Sequence, residues 1–364
     1  MKMKIVSKFL AAGLVMLAVG ETCTYAQQRV IGVNYGPYHK KEKDGRTNQT
    51  PENPNADPIP DGQFQEDLTT IVNRFGWIRT YGTETRVQGL VPFIAKTYPK
   101  LNVYLGIFES TDWHKATEEQ MDKAIQLAKD YPDIVEYIIV GNECLDQDWK
   151  DSTQRVSIEQ LIADINDVKS RLMKEERTKN VKVTTCLGFH SALNPKTLDG
   201  KPNGKPNDMY NKPGKVPPHG QLDYGKRIME ESQADSLMFT VYPFYGGVSV
   251  EEAKDNTKYW YKYAKENVAK KKPVILGEVG WPSTADPGQT LESGKAIPSV
   301  ANEEKYTTDM INAAKDDQVG PIFLFEAFDE PWKPGKEQGG NQWEKHWGLW
   351  DKDGKEKFPI PSGM

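Results

Sequence analysis

Eight short segments rich in β-branched and aromatic residues recur along this 364-residue chain, and they constrain its fold more than any other feature. Most of them are nearly continuous apolar runs, which is typical of parallel strands that are buried on both faces. Segments with helical periodicity separate them. The predicted strands are Arg29–Tyr35, Trp77–Tyr81, Asn102–Phe108, Glu136–Gly141, Val181–Leu187, Ser236–Tyr242, Pro273–Gly277 and Pro321–Ala327.

The alternation of strands and helices predicts a single-domain α/β fold, the (β/α)8 TIM barrel. A doubly wound open sheet is the alternative, but no Gly-x-Gly-x-x-Gly motif follows the first strand. The sequence Thr117-Glu-Glu-Gln predicts a capping box at the start of the third helix. The predicted helices are Phe64–Phe75, Val87–Tyr98, Thr117–Tyr131, Ser157–Lys174, Tyr224–Ser232, Ser249–Lys270 and Glu303–Asp316.

Two long segments interrupt this alternation. Residues 39–62 follow the first strand and residues 191–221 follow the fifth, and both are rich in Pro, Asn and Lys. In a barrel, the loops that follow strands form the catalytic face. Solvated insertions and substrate-shaping loops are equally good interpretations of these two segments.

The first 26 residues have the pattern of a signal peptide. Three lysines precede an apolar run at residues 9–19, and Thr24-Tyr25-Ala26 resembles a small-x-small cleavage site. The sequence therefore predicts an exported protein, periplasmic or secreted, with a barrel domain over residues 27–364. Glu21 and Thr22 are poor lipobox residues before Cys23, which disfavours a lipid anchor. Removal of residues 1–26 changes the net charge from −5 to −7.

Charge and missing motifs exclude several classes of function. An acidic chain without a basic patch or tail does not favour nucleic acid or anionic membranes as partners. No second apolar run predicts a membrane span. The five histidines have no paired spacing, and no Cys/His cluster predicts a metal site. Neither a Walker motif nor a Gly-x-Ser-x-Gly elbow occurs, so we expect no cofactor. Cys144 and Cys186 are predicted to be two separate buried thiols rather than a disulfide.

Two glutamates directly follow apolar strands. Glu143 follows the fourth strand in Ile138-Ile139-Val140-Gly141-Asn142-Glu143, and Glu278 follows the seventh in Val274-Ile275-Leu276-Gly277-Glu278. A desolvated carboxylate is costly unless a site uses it. A pair separated by about 5–5.5 Å supports retaining glycoside hydrolysis, and about 6.5–9.5 Å supports inversion. Sequence alone leaves that distance open.

The segment Lys272-Pro-Val-Ile-Leu-Gly-Glu-Val-Gly-Trp-Pro-Ser-Thr-Ala285 resembles the nucleophile motif of glycoside hydrolase family 17, the β-1,3-glucanase family. Gly141-Asn142-Glu143 is similar to the acid/base strand of the same superfamily. A third similarity runs from Phe325 to Lys333 and continues at Glu344–Trp350, with Asp329 where many members have Asn. The resemblance spans residues 29 to about 351 and indicates a bacterial member of the family.

The resemblance implies a role for each matching residue. Glu278 is the expected nucleophile, Glu143 the general acid and then base, and Asn142 a ligand of the sugar 2-hydroxyl. Proximity of Lys333 is expected to hold Glu278 ionised. Glu330, Lys333 and Glu344 match charged family positions near the nucleophile. The alternative for these three residues is a salt-bridge network that only shapes the rim of the site.

Aromatic side chains at or after strand ends predict a carbohydrate cleft, because sugar rings pack on aromatic planes. For any single residue, packing in the core is an equally good interpretation. Tyr35 and Tyr242 are the best single candidates, because their strands match the family. The predicted sugar-binding aromatics are Tyr35, Tyr81, Tyr242, Phe244 and Trp281, and the wider set adds Trp113, Trp149, Tyr245 and Trp332.

The sequence therefore predicts an enzyme that hydrolyses β-1,3-glucan with retention and cuts within the chain. A β-1,3-glucan transglycosylase and an exo-acting glucanase remain alternatives with the same residues. A non-catalytic glucan-binding barrel is a more distant one, because both glutamates are present. The predicted partner is a β-glucan polysaccharide or oligosaccharide, and a monomer is the default oligomeric state.

Overall fold

The protein is a closed barrel of eight parallel strands in the order in which they occur in the chain. The computed structural model describes residues 31–40, 58–110, 114–145, 156–193, 223–286, 294–333 and 342–364. All eight predicted strands are present, so the TIM-barrel prediction is confirmed. The strands are β1 Ile31–Asn34, β2 Trp77–Arg79, β3 Asn102–Ile107, β4 Val135–Asn142, β5 Lys182–Leu187, β6 Leu237–Thr240, β7 Val274–Val279 and β8 Ile322–Leu324.

Eight helices accompany the strands in the described part of the chain, and seven of them match predicted helices. The helices are α1 Asp61–Val72, α2 Leu90–Thr97, α3 His114–Asp130, α4 Ile158–Met173, α5 Phe189–Leu193, α6 Tyr224–Glu231, α7 Val250–Asn267 and α8 Val300–Lys315.

Two local predictions differ from the structure. Helix α3 already includes His114, so Thr117 lies inside its first turn rather than at its N-cap. Thr117 is buried there, and its Oγ1 accepts a hydrogen bond from the Ser110 backbone N–H at the end of β3. Helix α5 was not predicted, because five residues are too few for helical periodicity to show.

Apolar side chains fill the barrel interior and a larger core between the strands and the helices. A Cβ on Gly277 would lie 2.6 Å from Cys186 Sγ, so only glycine fits directly before Glu278. Cys144 and Cys186 are both buried and are not joined in a disulfide, which confirms the prediction of two separate thiols. The interior cluster consists of Tyr104, Tyr137, Ile139, Cys186, Met238, Ile275 and Phe323.

Some predictions concern residues outside the described ranges. These are the leader at residues 1–26, most of the loops 39–62 and 191–221, and the aromatic residues Trp113 and Trp149. Within the described ranges, no helix has both the length and the apolar character needed to cross a membrane.

Candidate active site

Glu278 lies near the end of β7 with its carboxylate surrounded by hydrogen-bond donors. Arg79 Nη1 donates to Oε1 at 2.7 Å, and the Tyr81 hydroxyl donates to the same oxygen at 3.0 Å. The Tyr242 hydroxyl donates to Oε2 at 2.5 Å. Glu278 is 4% exposed. Because three donors hold the carboxylate, its orientation is fixed before any ligand arrives.

Both tyrosines keep their protons and therefore act as donors. Burial, followed by the charge of Glu278, raises the pKa of Tyr81 well above its usual range. Burial and Glu278 raise the pKa of Tyr242 in the same way. Sequence reasoning named both residues as sugar contacts, and the structure places both hydroxyls on the predicted nucleophile. Sugar contact by either residue remains a prediction.

Arg79, which contacts Glu278, is absent from the residues predicted from the sequence. Its side chain is 1% exposed and is surrounded by barrel strands. Nη1 also donates to Asn34 Oδ1 at 2.9 Å, and Nη2 donates to Asn142 Oδ1 at 2.5 Å. A charged residue within a predicted buried strand was the available signal, since an arginine is rarely buried unless it is paired. The guanidinium joins Asn142, a predicted sugar ligand, to Glu278.

Glu143 follows β4 in a tight turn. Gly141 has φ +78° and Glu143 has φ +50°, so the chain turns twice through left-handed backbone around Asn142. The Glu143 backbone N–H donates to the Cys186 carbonyl at 2.8 Å. Thr240 Oγ1 donates to Glu143 Oε1 at 2.6 Å. These two bonds attach the turn to β5 and β6.

Thr240 brings the two glutamates into one site. It hydrogen-bonds Glu143, and in the β6–β7 pairing it lies in register with Glu278. The Tyr242 phenol, which contacts Glu278, is also within electrostatic reach of Glu143. The barrel therefore brings the two predicted catalytic carboxylates together from β4 and β7.

Lys333 does not pair with Glu278 as predicted. Its Nζ donates to Glu326 Oε1 at 2.6 Å and lies 3.0 Å from Glu330 Oε2. Arg79 supplies the cation at Glu278 instead, with Nη1 2.7 Å from Glu278 Oε1. Burial, followed by the charge of Glu330, raises the pKa of Glu326. A raised pKa favours the neutral form of Glu326 beside Glu330.

Phe244 and Tyr245 follow β6, Trp281 follows β7, and Glu344 follows β8. The Tyr245 hydroxyl donates to Glu344 Oε1 at 2.5 Å. Phe244 packs edge-on against Trp281 and Trp347, with ring centroids 5.2 and 5.7 Å away. Phe244 and Trp281 are both buried, so the structure gives them a packing role beneath the partly exposed Tyr245. Their direct contact with sugar stays a prediction.

Tyr35 lies apart from this group. Its hydroxyl donates to Asp67 Oδ2 on α1 at 2.8 Å, and His39 Nε2 lies 2.9 Å from the same oxygen. The side chain is buried. Family similarity of the strand singled out Tyr35, but the alternation of side chains along a strand turns it away from Glu278.

Asp329, where the sequence departs from the family pattern, has partners of its own. Its Oδ1 accepts hydrogen bonds from Lys357 Nζ at 2.7 Å and from the Gly348 backbone N–H at 2.9 Å. The carboxylate therefore anchors the C-terminal segment. Within the described ranges, no cluster of His, Cys, Asp and Glu has an arrangement that could hold a metal ion.

A closed parallel barrel with one glutamate at the carboxyl end of β4 and another at that of β7 is the arrangement expected of a glycoside hydrolase. A family model described as the BtgE/BtgC glycoside hydrolase domain matches residues 32–200 and 210–348. The chain belongs to this family, which resembles glycoside hydrolase family 17.

The chain is similar to fungal proteins. It is 27% identical over 308 residues to the probable glucan endo-1,3-beta-glucosidase btgC of Aspergillus fumigatus, a match that covers 81% of this chain and 39% of the relative. It is 25% identical over 308 residues to the putative glucan endo-1,3-beta-glucosidase btgC of Aspergillus niger, with the same coverage of 81% and 39%. The chain thus spans about two-fifths of the length of these relatives.

Solved structures share the fold. An endo-laminarinase from Formosa Hel1_33_131 superposes with a TM-score of 0.65 at 20% identity, covering 91% of this chain and 85% of that chain. A family 17 β-1,3-glucanosyltransferase from Rhizomucor miehei superposes with a TM-score of 0.63 at 20% identity, covering 93% and 100%. At this identity the likeness shows the barrel fold and no more.

Proposed function

We propose that the protein is an enzyme of family 17 type that hydrolyses β-1,3-glucan with retention of anomeric configuration and cuts within the chain. The observation that carries the proposal is the position of Thr240, which hydrogen-bonds Glu143 and lies in register with Glu278. Two glutamates that meet at Thr240, one of them held by three donors, supply the acid/base and the nucleophile that a double-displacement reaction needs.

In this mechanism Glu278 attacks the anomeric carbon and forms a covalent glycosyl-enzyme. Glu143 donates a proton to the leaving glycosidic oxygen. Glu143 then removes a proton from the incoming water, which attacks the same carbon and releases Glu278. The bonds from Arg79, Tyr81 and Tyr242 hold Glu278 in one orientation during both steps.

The substrate follows from the relatives and from the chemistry of the site. The Aspergillus relatives are named for glucan endo-1,3-beta-glucosidase activity. The Tyr245 ring is partly exposed beside Glu344, and aromatic rings with adjacent carboxylates suit sugar faces and hydroxyls. Glu330, Lys333 and Glu344 are proposed to support sugar binding near the nucleophile.

Product analysis on linear β-1,3-glucan tests the proposal, with wild type compared with Glu278→Ala and Glu143→Ala. Tyr35→Phe is the matched control, because it removes a buried hydroxyl outside the site. A ladder of oligosaccharides from wild type and from the control, lost in both glutamate variants, supports endo-hydrolysis. Glucose or one short product alone indicates exo-action. Absence of cleavage by wild type rejects the substrate.

The same products separate hydrolysis from transfer. Chains longer than the substrate indicate transglycosylation, in which a sugar hydroxyl replaces water on the glycosyl-enzyme. The anomer released first, followed by proton NMR, tests retention directly. A first product of inverted configuration contradicts a covalent intermediate on Glu278.

We also propose that the protein is an exported bacterial monomer. The basic and apolar pattern of residues 1–26 supports export. Amino-terminal sequencing of the protein recovered outside the cytoplasm tests the cleavage site before Gln27, and light scattering measures the oligomeric state.

A further inference from the structure

Glu109 lies beside the turn that carries Glu143. It follows β3 by two residues, and β3 pairs with β4 so that Ile107 is opposite Val140. A Cβ built on Gly141 would lie 3.1 Å from Glu109 Cβ and 3.5 Å from its Cγ. The turn therefore rests directly on the side chain of Glu109.

The carboxyl group of Glu109 has an unusual environment. It is buried, and no N–H or O–H donor in the described part of the chain reaches either oxygen. The polar group that contacts it is the carboxyl of Asp164 on α4. Asp164 is also buried, and Gln160 Nε2 donates to both of its oxygens at 3.0 Å. Two ionised carboxylates in contact repel each other, so one of the pair carries a proton.

The surroundings of the two carboxyls favour the proton on Glu109. Gln160 already satisfies Asp164 as an acceptor, whereas Glu109 has no donor of its own. Burial, followed by the charge of Asp164, raises the pKa of Glu109 to about 9. At neutral pH, Glu109 is therefore the acid, and its O–H donates to Asp164.

A cavity of about 390 Å³ between α3 and α4 borders Asp164. Arg171, the arginine of this cavity, pairs with Asp122 and Asp167. His114 contacts Glu118. The charged and titratable groups that share this cavity with Asp164 are His114, Glu118, Asp122, Asp167 and Arg171.

We propose that Glu109 and Asp164 share a proton between β3 and α4, and that this protonated pair positions the turn that carries Glu143. The inference rests on the proposed function, in which Glu143 is the acid and base. Glu109 is a positioning residue that acts through the turn from Gly141 to Cys144. When the shared proton leaves, two negative charges lie under the turn, and Glu143 loses its alignment with Thr240.

The first experiment is independent of activity. Difference infrared spectra of the whole protein between about pH 7 and about pH 10.5 report carboxylic acids that ionise in this range. Between these two pH values, the carboxylic C=O band of the wild type should lose more intensity than that of Glu109→Gln, by the equivalent of one carboxyl group. Equal losses in the two proteins, together with equal carboxylic C=O absorbance at pH 7, would show that Glu109 carries no proton at pH 7 and would overturn the shared-proton assignment.

The second experiment measures kcat and KM on β-1,3-glucan. Glu109→Gln keeps a neutral donor of the same shape, so kcat should stay within about twofold of wild type. Glu109→Leu removes the donor, so kcat should fall about tenfold with KM within about twofold. Both proteins lose kcat as Glu143 ionises, and above about pH 9 the wild type should lose kcat more steeply than Glu109→Gln.

Glu303→Leu is the matched control. Glu303 is a buried carboxyl on α8 outside the turn, and Lys357 Nζ lies 3.6 Å from its Oε2. This variant should lower the melting temperature and leave kcat and the alkaline loss unchanged. Wild-type kcat in Glu109→Leu, measured below its melting temperature, overturns the positioning role. If wild type cleaves no β-glucan, the proposed function fails while the infrared comparison still decides the shared proton.

Discussion

Arg79 Nη1 lies 2.7 Å from Glu278 Oε1, with both side chains almost completely buried. The same guanidinium donates to Asn34 on β1 and to Asn142 on β4. The orientation of Glu278 therefore depends on residues from three other strands. A buried ion pair of this kind stabilises little in itself, but removal of one partner leaves an uncompensated charge.

We expect Arg79→Met to reduce the free energy of unfolding by about 3–5 kcal/mol, because Glu278 remains buried without its cation. Activity should fall at least about a hundredfold, since Glu278 also loses its orientation. Urea unfolding and initial rates on β-1,3-glucan measure the two effects. Arg227→Met makes the same substitution in the solvent-exposed pairs with Glu231 and Glu159 and should leave the free energy of unfolding nearly unchanged. An equal decrease in the free energy of unfolding in Arg79→Met and Arg227→Met would contradict the explanation that burial makes the loss of Arg79 destabilising.

A comparison of Tyr242→Phe with Tyr35→Phe distinguishes an effect on the reaction from an effect on stability alone. Each variant removes one buried phenol that donates to a carboxylate, Glu278 or Asp67. A hydrogen bond to a charged group contributes about 1.5–3 kcal/mol, so both variants should lower stability by a similar amount. Only Tyr242→Phe should also lower kcat, by about 10–100-fold. A comparable loss of kcat in Tyr35→Phe would show that the β1 tyrosine serves the reaction after all.

The strands and the two glutamates were predictable because their signals are local. Apolar runs mark the buried strands, and Glu143 and Glu278 directly follow two of them. The closing order of the barrel then brings β4 and β7 to one site. Neither step requires knowledge of how strands are staggered.

Arg79, Thr240 and the partner of Lys333 were not predictable in the same way. Thr240 joins the two glutamates only because of its register with β7, and local sequence does not specify register. Family similarity predicted Lys333 beside Glu278, but in the structure its Nζ forms ion pairs with Glu326 and Glu330. Contacts across the barrel interior depend on the three-dimensional arrangement.

We expect Lys333→Met to destabilise the protein by about 3–5 kcal/mol at neutral pH, because Glu326 and Glu330 then share a buried space without a cation. Burial and the charge of Glu330 raise the pKa of Glu326, and acidification removes the negative charge that remains on it, so the deficit relative to wild type should shrink as the pH falls. Thermal unfolding across pH measures this trend. The double variant Lys333→Met/Glu330→Gln should recover part of the loss, and a deficit that is independent of pH contradicts the explanation.

Glu303 should make the stability of the wild type decline with rising pH. Burial, followed by the charge of Asp329 and against the charge of Lys357, raises the pKa of the Glu303 carboxyl well above its usual range. Above about pH 4.5 the folded chain therefore keeps a proton that the unfolded chain has lost, and the free energy of unfolding falls by up to about 1.4 kcal/mol per pH unit. This decline ends once the pH passes the folded-state pKa. Glu303→Gln has no proton to lose, so its stability should gain on wild type as the pH rises from about 5 to about 8. Urea unfolding of both proteins over this range measures the difference, and parallel curves would show that Glu303 is ionised in the folded protein.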